Sequence, residues 1–273
     1  MARPKKIGVI GCGQMGEALL RGILASGLVS SAELIGSDKD QARLARLAAG
    51  LGFPAARDNL SLVAEAEIIV LAVKPDRVDA VMQEIGAALG PDQILVSIAA
   101  GIPLRAIARR LKDPTVPLLR VMPNTPCLVR AGMCALAPAA GLRQEALEKV
   151  QTLFSCLGET VVVEEKLLDA VTGLSGSGPA YFFLAMEALA DGGVAAGLPR
   201  ALADKLAAQT ALGAARLVLE SGKHPAALRE AVASPAGTTV AGLAALEAAG
   251  VRSAFIKAVL AAAARSRELS EGR

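Results

Sequence analysis

The stretch Lys6-Ile7-Gly8-Val9-Ile10-Gly11-Cys12-Gly13-Gln14-Met15-Gly16 decides the fold of this chain. Its apolar start predicts a β-strand, and the Gly-x-Gly-x-x-Gly pattern opens a predicted helix over Met15 to Ser26. In such a unit Gly11 makes the tight turn, Gly13 lets a pyrophosphate approach the backbone, and Gly16 allows the helix to pack on the strand. The helix N-terminus then faces the phosphates. These residues predict a dinucleotide-binding site near residue 10.

Around this unit, short β-rich apolar runs alternate with amphipathic helical stretches up to about residue 163. That alternation is typical of parallel strands joined by crossover helices. The helical stretch Gln41 to Leu51 is followed by Gly52, a common stop signal. The predicted strands are Lys6 to Ile10, Glu33 to Ser37, Ile68 to Val73, Ile94 to Ile98, Leu118 to Met122, Met133 to Ala137 and Thr160 to Val163.

The second half of the chain has a different character. From about Leu167 the strand signal disappears, and long runs rich in Ala and Leu predict helices. Several of these helices are apolar around most of their circumference, which indicates burial on more than one side. We expect this part to pack against a second copy of itself; the alternative is that small Ala faces pack closely within one subunit. The predicted helices are Ala180 to Ala196, Arg200 to Ser221, Val240 to Ala249 and Ser253 to Leu269.

The two halves together predict an α/β protein in which an N-terminal Rossmann-type doubly wound sheet precedes an all-helical C-terminal domain. We place the dinucleotide-binding domain at residues 1–163 and the helical dimerisation and substrate domain at residues 164–273. A chain of 273 residues is long enough for two such domains.

Composition excludes several classes of protein. The chain is 53% hydrophobic and 20% charged, as in globular proteins, while 2% aromatic residues and a net charge of +3 argue against nucleic acid as a partner. Uncharged runs are too short for a membrane span. Arg3, Lys5 and Lys6 precede only the short apolar stretch Ile7 to Ile10, which predicts a strand and not an export signal. With four cysteines and no C-x-x-C pair, we expect a soluble cytoplasmic protein with free thiols.

The end of the second predicted strand bears on the choice of cofactor. It reads Ser37-Asp38-Lys39, where an acid would bind the ribose 2′-hydroxyl of NAD and a base would accept the 2′-phosphate of NADP. Asp38 would repel a phosphate, whereas Ser37 and Lys39 could donate to it, so the sequence leaves the choice open. Asn59, in the next connection, either reaches the adenosine ribose or is a turn residue.

Further strand ends are expected at the same crevice, because ligands of open α/β sheets bind beyond the carboxyl ends of the strands. Ala72-Val73-Lys74-Pro75 is one of them, and Pro75 forces Lys74 out of helical geometry. Lys74 is either solvated or in contact with the cofactor. In Ile98-Ala99-Ala100-Gly101, small side chains would let a nicotinamide ring lie close. The two prolines of Arg120 to Pro126 stiffen a third loop.

Two polar turns interrupt the helical half. Ser175-Gly176-Ser177-Gly178 precedes a long helix whose free N–H groups would bind a carboxylate; alternatively it is a capped hinge between domains. Ser234-Pro235-Ala236-Gly237-Thr238-Thr239 offers three hydroxyls, and Gly237 lets the backbone approach a small polar ligand closely. His224 is predicted to mark the start of a helix. We expect no metal site, because no His/Cys/Asp/Glu cluster has ligand spacing.

Four segments together resemble pyrroline-5-carboxylate reductase, the last enzyme of proline biosynthesis. They are Gly11 to Gly16, Ala72 to Pro75, Asp169 to Tyr181 and, most specifically, Pro225 to Glu247. The resemblance covers nearly the whole chain. It implies hydride transfer from NADPH or NADH to the C=N bond of 1-pyrroline-5-carboxylate, which gives L-proline. It also implies an intertwined homodimer of the helical domains, often assembled further into a decamer.

The resemblance also implies particular contacts. Thr239 would be the catalytic residue, holding the ring nitrogen by a hydrogen bond. Substrate contacts fall on Glu165, Ser175, Gly176, Ser177, Gly178, Ser234, Gly237, Thr238 and Thr239. Cofactor contacts fall on Ile10, Gly11, Cys12, Gly13, Gln14, Met15, Ser37, Asn59, Ala72, Val73, Lys74, Pro75, Ile98, Ala99 and Ala100, to which the patterns above add Gly16, Asp38 and Lys39.

Two residues depart from the family pattern. Ala236 stands where the family usually has Gly, so the turn must tolerate a side chain. Asp38 stands where many relatives have a residue more compatible with the 2′-phosphate. The short inventory of proton donors, Tyr181, Lys74 and hydroxyls, is compatible with the implied reaction, because a protonated imine needs positioning more than a tuned acid or base.

Two other functions compete with this hypothesis. A β-hydroxyacid dehydrogenase has a similar nucleotide domain and a helical second domain, but it places a catalytic lysine in the interdomain helix. Ala180 to Ala196 contains no lysine. The second alternative is a non-catalytic NADP-binding sensor, which the set of hydroxyls in the 234–239 turn argues against.

Overall fold

The computed structural model describes residues 6–271, and the Lys6 side chain lies outside that description. The basic residues Arg3 and Lys5, and the outer ends of the two predicted domains, therefore lie outside the described residues as well. The prediction about an export signal rests partly on them.

Seven strands form one sheet in the order β2-β1-β3-β4-β5-β6-β7. All neighbouring strands are parallel except β5 and β6, which pair antiparallel. Because β1 lies between β2 and β3, the strand order reverses there, and ligands of such sheets bind at the carboxyl ends of these strands. The strands are β1 Lys6–Ile10, β2 Leu34–Ser37, β3 Ala66–Leu71, β4 Ile94–Ser97, β5 Leu118–Met122, β6 Gly132–Pro138 and β7 Gly158–Val162.

Twelve α-helices lie within the described residues. They are α1 Gln14–Ser26, α2 Gln41–Leu51, α3 Asn59–Glu65, α4 Pro75–Ile85, α5 Leu104–Ala108, α6 Gln144–Ser155, α7 Leu168–Val171, α8 Gly178–Ala195, α9 Arg200–Ser221, α10 Pro225–Ala231, α11 Thr238–Ala248 and α12 Val251–Glu271. The predicted fold class is confirmed: a mostly parallel α/β sheet precedes a helical region.

Local sequence signals explain where the elements near the sheet begin and end. Gly27 and Gly52 end α1 and α2 in left-handed geometry, with φ of 72° and 73°. Pro75 is the first residue of α4, and Lys74 before it is extended, with φ of −60° and ψ of 150°. The predicted strand Ile68 to Val73 ends earlier, at Leu71, because the chain already turns toward this helix.

Helices cover both faces of the sheet. On one face, Leu19, Leu44 and Phe154 from α1, α2 and α6 are buried in one cluster with strand residues. On the other face, Leu62 and Met82 from α3 and α4 are buried in a second cluster. A sheet covered on both faces has buried strands, which is why β2, β4 and the first four residues of β5 are buried without alternation, Arg120 included.

Contacts divide the chain into two compact units, and the division differs from the predicted boundary at 163/164. The first unit comprises residues 1–176 and 261–273, and the second comprises Ser177–Leu260. The segment after Val163 stays with the sheet because Leu168 is buried against Ala135 and Ala137. The end of α12 belongs to the first unit as well, where the Ser266 hydroxyl donates to Asp169 at 2.7 Å.

The second unit has a small buried core. Ala190, Ala203 and Ala207 of α8 and α9 are buried together. Large apolar side chains of the same unit are exposed, with Phe182 65% and Leu219 77% accessible. None of the helices between residues 6 and 271 combines the length and apolar character needed to span a bilayer.

Candidate active site

The turn between β1 and α1 has the geometry that the fingerprint predicts. Gly11 adopts φ of 98°, and its N–H donates to the carbonyl of Ser37 at 2.8 Å. A Cβ on Gly11 would lie 2.8 Å from the Ala72 backbone, and one on Gly16 would lie 1.9 Å from the Gly11 oxygen. Side chains are therefore excluded at both positions by backbone contacts.

Gly13 has a different surrounding. It is the N-cap residue of α1, and the nearest atom to a Cβ built on it is an Arg43 guanidinium nitrogen at 3.7 Å. This face of the turn is open, and the first-turn N–H groups of a helix bind phosphate. The residues present thus fit a dinucleotide pyrophosphate at Gly13, Gln14 and Met15.

Cys12 contributes to the turn through its backbone. Its N–H donates to Asp38 Oδ2 at 2.7 Å, and its buried thiol donates to the Ser37 carbonyl at 3.7 Å. Burial, together with the nearby Asp38 carboxylate, raises the pKa of the Cys12 thiol to about 12. Cys12 is therefore a protonated, structural thiol at neutral pH.

The end of β2 carries a network of side chains. The Ser37 hydroxyl donates to Asn59 Oδ1 at 2.7 Å, and Asn59 Nδ2 donates to Glu84 at 2.8 Å. Asp38 accepts from the backbone N–H of Cys12 and also from that of Asp40, at 2.8 Å. Lys39 is exposed. The predicted residues Ser37, Asp38 and Asn59 thus lie next to the fingerprint turn.

The other predicted cofactor residues lie at the ends of the neighbouring strands. Ala72 donates its N–H to Ile10 at 2.8 Å, and Ile98 donates to Leu71 at 3.1 Å. Because β1, β3 and β4 are neighbours in the sheet, Ile10, Ala72 to Pro75 and Ile98 to Ala100 come together at one edge. Lys74 and Ala100 are exposed there, whereas Ala99 is buried.

The Glu165 carboxylate, predicted to contact substrate, already has partners within the protein. Its Oε1 accepts from the Leu104 N–H at 2.7 Å and lies 3.5 Å from Arg120 Nη1. Arg120 is 3% exposed, and its Nη2 has no hydrogen-bond partner among the described residues. Burial lowers the pKa of Arg120, and the carboxylates of Glu165 and Asp169 oppose that shift. Sequence reasoning missed this arrangement because the partners are distant along the chain.

The expected turn at Ser175 to Gly178 is a helical segment in the structure. Thr172–Gly176 form a π-helix, and Ser177 at the start of α8 keeps helical geometry, with φ of −85° and ψ of −22°. Single π-turns are frequent at functional sites. Ser175 and Gly176 belong to the first unit, whereas Ser177 and Gly178 open the second.

The 234–239 turn is confirmed as a turn followed by a helix. The Gly237 N–H donates to the Ser234 carbonyl at 2.9 Å, and Ala236 between them has φ of 57°. A Cβ on Gly237 would lie 2.3 Å from the Ser234 hydroxyl. Gly237 is the N-cap of α11, so Thr238 and Thr239 are its first two residues. Ser234 and Thr238 are exposed, and Thr239 is half-buried.

Other candidate groups have local roles. His224 is the N-cap of α10, and its Nδ1 accepts from the Ala226 N–H at 3.2 Å, as expected for a residue at a helix start. The Tyr181 hydroxyl donates to the Ala258 carbonyl at 3.3 Å. Across residues 6–271, no three His, Cys, Asp or Glu side chains are grouped so that they could hold a metal ion.

Comparison with known proteins identifies the family. Residues 165–269 match a family model described as pyrroline-5-carboxylate reductase dimerisation, and residues 6–101 match one described as NADP oxidoreductase coenzyme F420-dependent. The pyrroline-5-carboxylate reductase of Methanosarcina acetivorans is 43% identical over 98% of this chain and 98% of its own length. The chain belongs to the pyrroline-5-carboxylate reductase family. The same enzyme of Escherichia coli K12 is also 43% identical, over 98% of this chain and 99% of its own.

Solved structures of the pyrroline-5-carboxylate reductase family agree with this assignment. The Coxiella burnetii enzyme superposes with a TM-score of 0.91 at 33% identity, covering 98% of this chain and 99% of its own. The Plasmodium falciparum enzyme, solved with NADP bound, has a TM-score of 0.87 at 31% identity, with the same coverage of both chains. These matches confirm the resemblance seen in the sequence. They also confirm the predicted enzyme class, an oxidoreductase that acts on a cyclic imine.

Proposed function

We propose that this chain reduces the C=N bond of 1-pyrroline-5-carboxylate to L-proline with NADPH as the preferred hydride donor, NADH being the alternative. The observation that carries the proposal is the fingerprint turn, in which Gly11 and Gly16 are closed by backbone contacts while Gly13 remains open to a pyrophosphate. When bound, NADPH would supply the hydride. The family match and the NADP-bound relative support the choice of cofactor.

The substrate roles fall on the first turn of α11. Gly237 is the N-cap of this helix in extended geometry, with φ of −79° and ψ of 169°, and the first N–H groups of a helix have no hydrogen-bond partner within it. We assign the substrate carboxylate to these N–H groups and to Ser234 and Thr238. The protonated ring nitrogen would donate to the Thr239 hydroxyl, which orients the imine carbon. Ser175 to Gly178 and Glu165 are the remaining candidates for the substrate site.

The proposed reaction requires no side chain that acts as a tuned acid or base. The protonated imine carries its own proton, so the residues act by binding and orientation. The Tyr181 hydroxyl, already a donor to Ala258, is part of the helical packing. Lys74, exposed at the end of β3, is a cofactor candidate and has no role as an acid here.

The helical region supports a homodimer. Its residues 165–269 match the dimerisation model. The consecutive residues Phe182, Phe183 and Leu184 are each more than half exposed. Exposed apolar area of this kind is buried by association. We propose a homodimer through this region, further assembly of five such dimers into a decamer, and a cytoplasmic location, which four cysteines without a C-x-x-C pair favour.

The test is a spectrophotometric assay of the purified full chain. With pyrroline-5-carboxylate, we expect oxidation of NADPH and formation of an equal amount of proline. NADPH binding without turnover would reject the reductase and leave the non-catalytic sensor. The NADPH to NADH ratio of kcat/KM in the same assay tests the cofactor preference.

A further inference from the structure

Arg43 lies at the adenosine end of the cofactor cradle. It is in the first turn of α2, and its Nη2 lies 2.9 Å from Oδ2 of Asp40, the N-cap residue of that helix. Its Nη1 lies 3.8 Å from Asp38 Oδ2 and 3.7 Å from the position of a Cβ on Gly13. The guanidinium is therefore beside both the ribose end of β2 and the open face of the fingerprint turn.

Asp40 holds Arg43 in this position. The same carboxylate accepts the Arg43 backbone N–H at 3.0 Å, so side chain and backbone of one residue are tied to one partner. The Arg43 side chain is nevertheless 42% exposed. A guanidinium has five N–H donors in a planar fork that matches a phosphate. The ion pair with Asp40 leaves donors that face the solvent.

Two other groups at this end of the cradle, Ser37 and Asp38, are less suited to a phosphate. The single Ser37 hydroxyl proton is donated to Asn59, and Ser37 is buried. The Asp38 carboxylate is fixed by two backbone N–H groups and would repel a phosphate. A cation close to Asp38 would offset that repulsion, and Arg43 is placed to do so.

We propose that Arg43 is the specificity-determining residue that recognises the 2′-phosphate of NADPH in this chain. The inference rests on the proposed use of NADP. It assigns the discrimination between NADPH and NADH to the first turn of α2, whereas sequence reasoning assigned it to Ser37, Asp38 and Lys39. Asp38 then serves to hold the fingerprint turn.

The test measures binding of cofactor fragments to the full chain by calorimetry. The probes are 2′,5′-ADP and 5′-AMP, which differ by the 2′-phosphate. Arg43→Ala should weaken 2′,5′-ADP at least about tenfold and 5′-AMP less than about twofold. In steady-state assays, kcat/KM for NADPH should fall at least about tenfold while that for NADH is retained. Arg46→Ala, at an exposed position on the same helix, is the matched control and should change neither.

Each outcome decides the inference. Equal losses for 2′,5′-ADP and 5′-AMP would overturn it, because Arg43 would then contact the adenosine; so would unchanged binding of both. If Arg43→Ala fails to fold, Arg43→Gln, which keeps most of the side chain, gives the same comparison. Wild type that binds 2′,5′-ADP but does not reduce the imine would reject the proposed function alone. Wild type that turns over with NADH but does not bind 2′,5′-ADP would reject the role of Arg43 and the preference for NADPH, while the reductase activity would stand.

Discussion

Asn124 Nδ2 donates to the Ser175 carbonyl at 3.2 Å and to its hydroxyl at 3.4 Å, although the two residues are 51 positions apart. The Asn124 Oδ1 accepts from the Met133 N–H at 2.9 Å, so both ends of this amide are engaged. Asn124 thereby attaches the π-helical segment, which contains Ser175, to the sheet.

Loss of this amide should loosen the Ser175 segment. We expect Asn124→Ala to lower kcat/KM for pyrroline-5-carboxylate by about tenfold, because a misplaced binding segment weakens orientation of the substrate. The neighbouring exposed residue gives the control, Thr125→Ala, which should stay within about twofold. Steady-state kinetics measure both; equal activity in the two variants would show that the Asn124 contact has no role in substrate placement.

Removing the Thr239 hydroxyl should weaken orientation of the imine. Thr239→Ala should lower kcat/KM by about 10- to 100-fold, equivalent to about 1.4 to 2.7 kcal/mol of transition-state stabilisation. Thr239→Ser keeps the hydroxyl and should retain most of the activity. An alanine variant that folds and matches wild type would take Thr239 out of the catalytic role.

The Ala236 backbone predicts a stabilising substitution. Ala236 has φ of 57° at the third position of a turn closed by Ser234 and Gly237, where glycine is favoured. Ala236→Gly should raise the free energy of unfolding by about 0.5 to 1 kcal/mol, because the left-handed region costs alanine about 1 to 2 kcal/mol and the greater entropy of glycine in the unfolded chain offsets part of that gain. Thermal unfolding measures the change. Ala233→Gly, just outside the turn, should not raise the free energy of unfolding. An increase equal to that of Ala236→Gly would refute the strain at Ala236.

The Cys12 thiol should resist alkylation. With a pKa of about 12, roughly one Cys12 thiol in ten thousand is ionised at pH 8, and the thiolate is the reactive form. Because the pKa of Cys12 is raised, its thiolate fraction is smaller than that of an ordinary cysteine at every pH below about 12. We expect iodoacetamide to label Cys12 at least about 100-fold more slowly in the folded protein than in urea, as followed by peptide mass spectrometry. Similar rates in both states would contradict this.

Glu165 should stabilise the protein through Arg120. Glu165→Gln leaves the buried Arg120 charge without its closest carboxylate, so we expect the free energy of unfolding to fall by about 1 to 2 kcal/mol. Glu164→Gln is the matched control, because Glu164 is 70% exposed and pairs with Lys166 on the surface. Chemical denaturation compares the two. Equal stability of both variants would instead favour a substrate role for Glu165.

Much of the fold was predictable from local patterns. Lys6 to Ile10 and Leu118 to Met122 agree with the predicted strands, and Arg200 to Ser221 agrees with the predicted helix. Glycine and proline explain this success, because proline fixes its own φ and glycine adopts left-handed conformations that other residues avoid, so both mark the ends of elements locally. The predicted strand Glu33 to Ser37 starts one residue late, at Leu34, because Ser31–Glu33 form a 3₁₀ turn held by a capping box.

The sequence by itself determined the dinucleotide turn, the alternation of strands and helices, and the hydroxyls of the 234–239 turn, because neighbouring residues encode each of these. Only the tertiary structure decided the partners of Asn124 and Glu165 and brought Arg43, whose ion pair with Asp40 is local, beside the fingerprint turn. Their side chains meet groups from other elements, such as Ser175 and Leu104, or the fingerprint turn near Gly13. Such contacts depend on the order of strands and the packing of helices, which no local window of sequence contains.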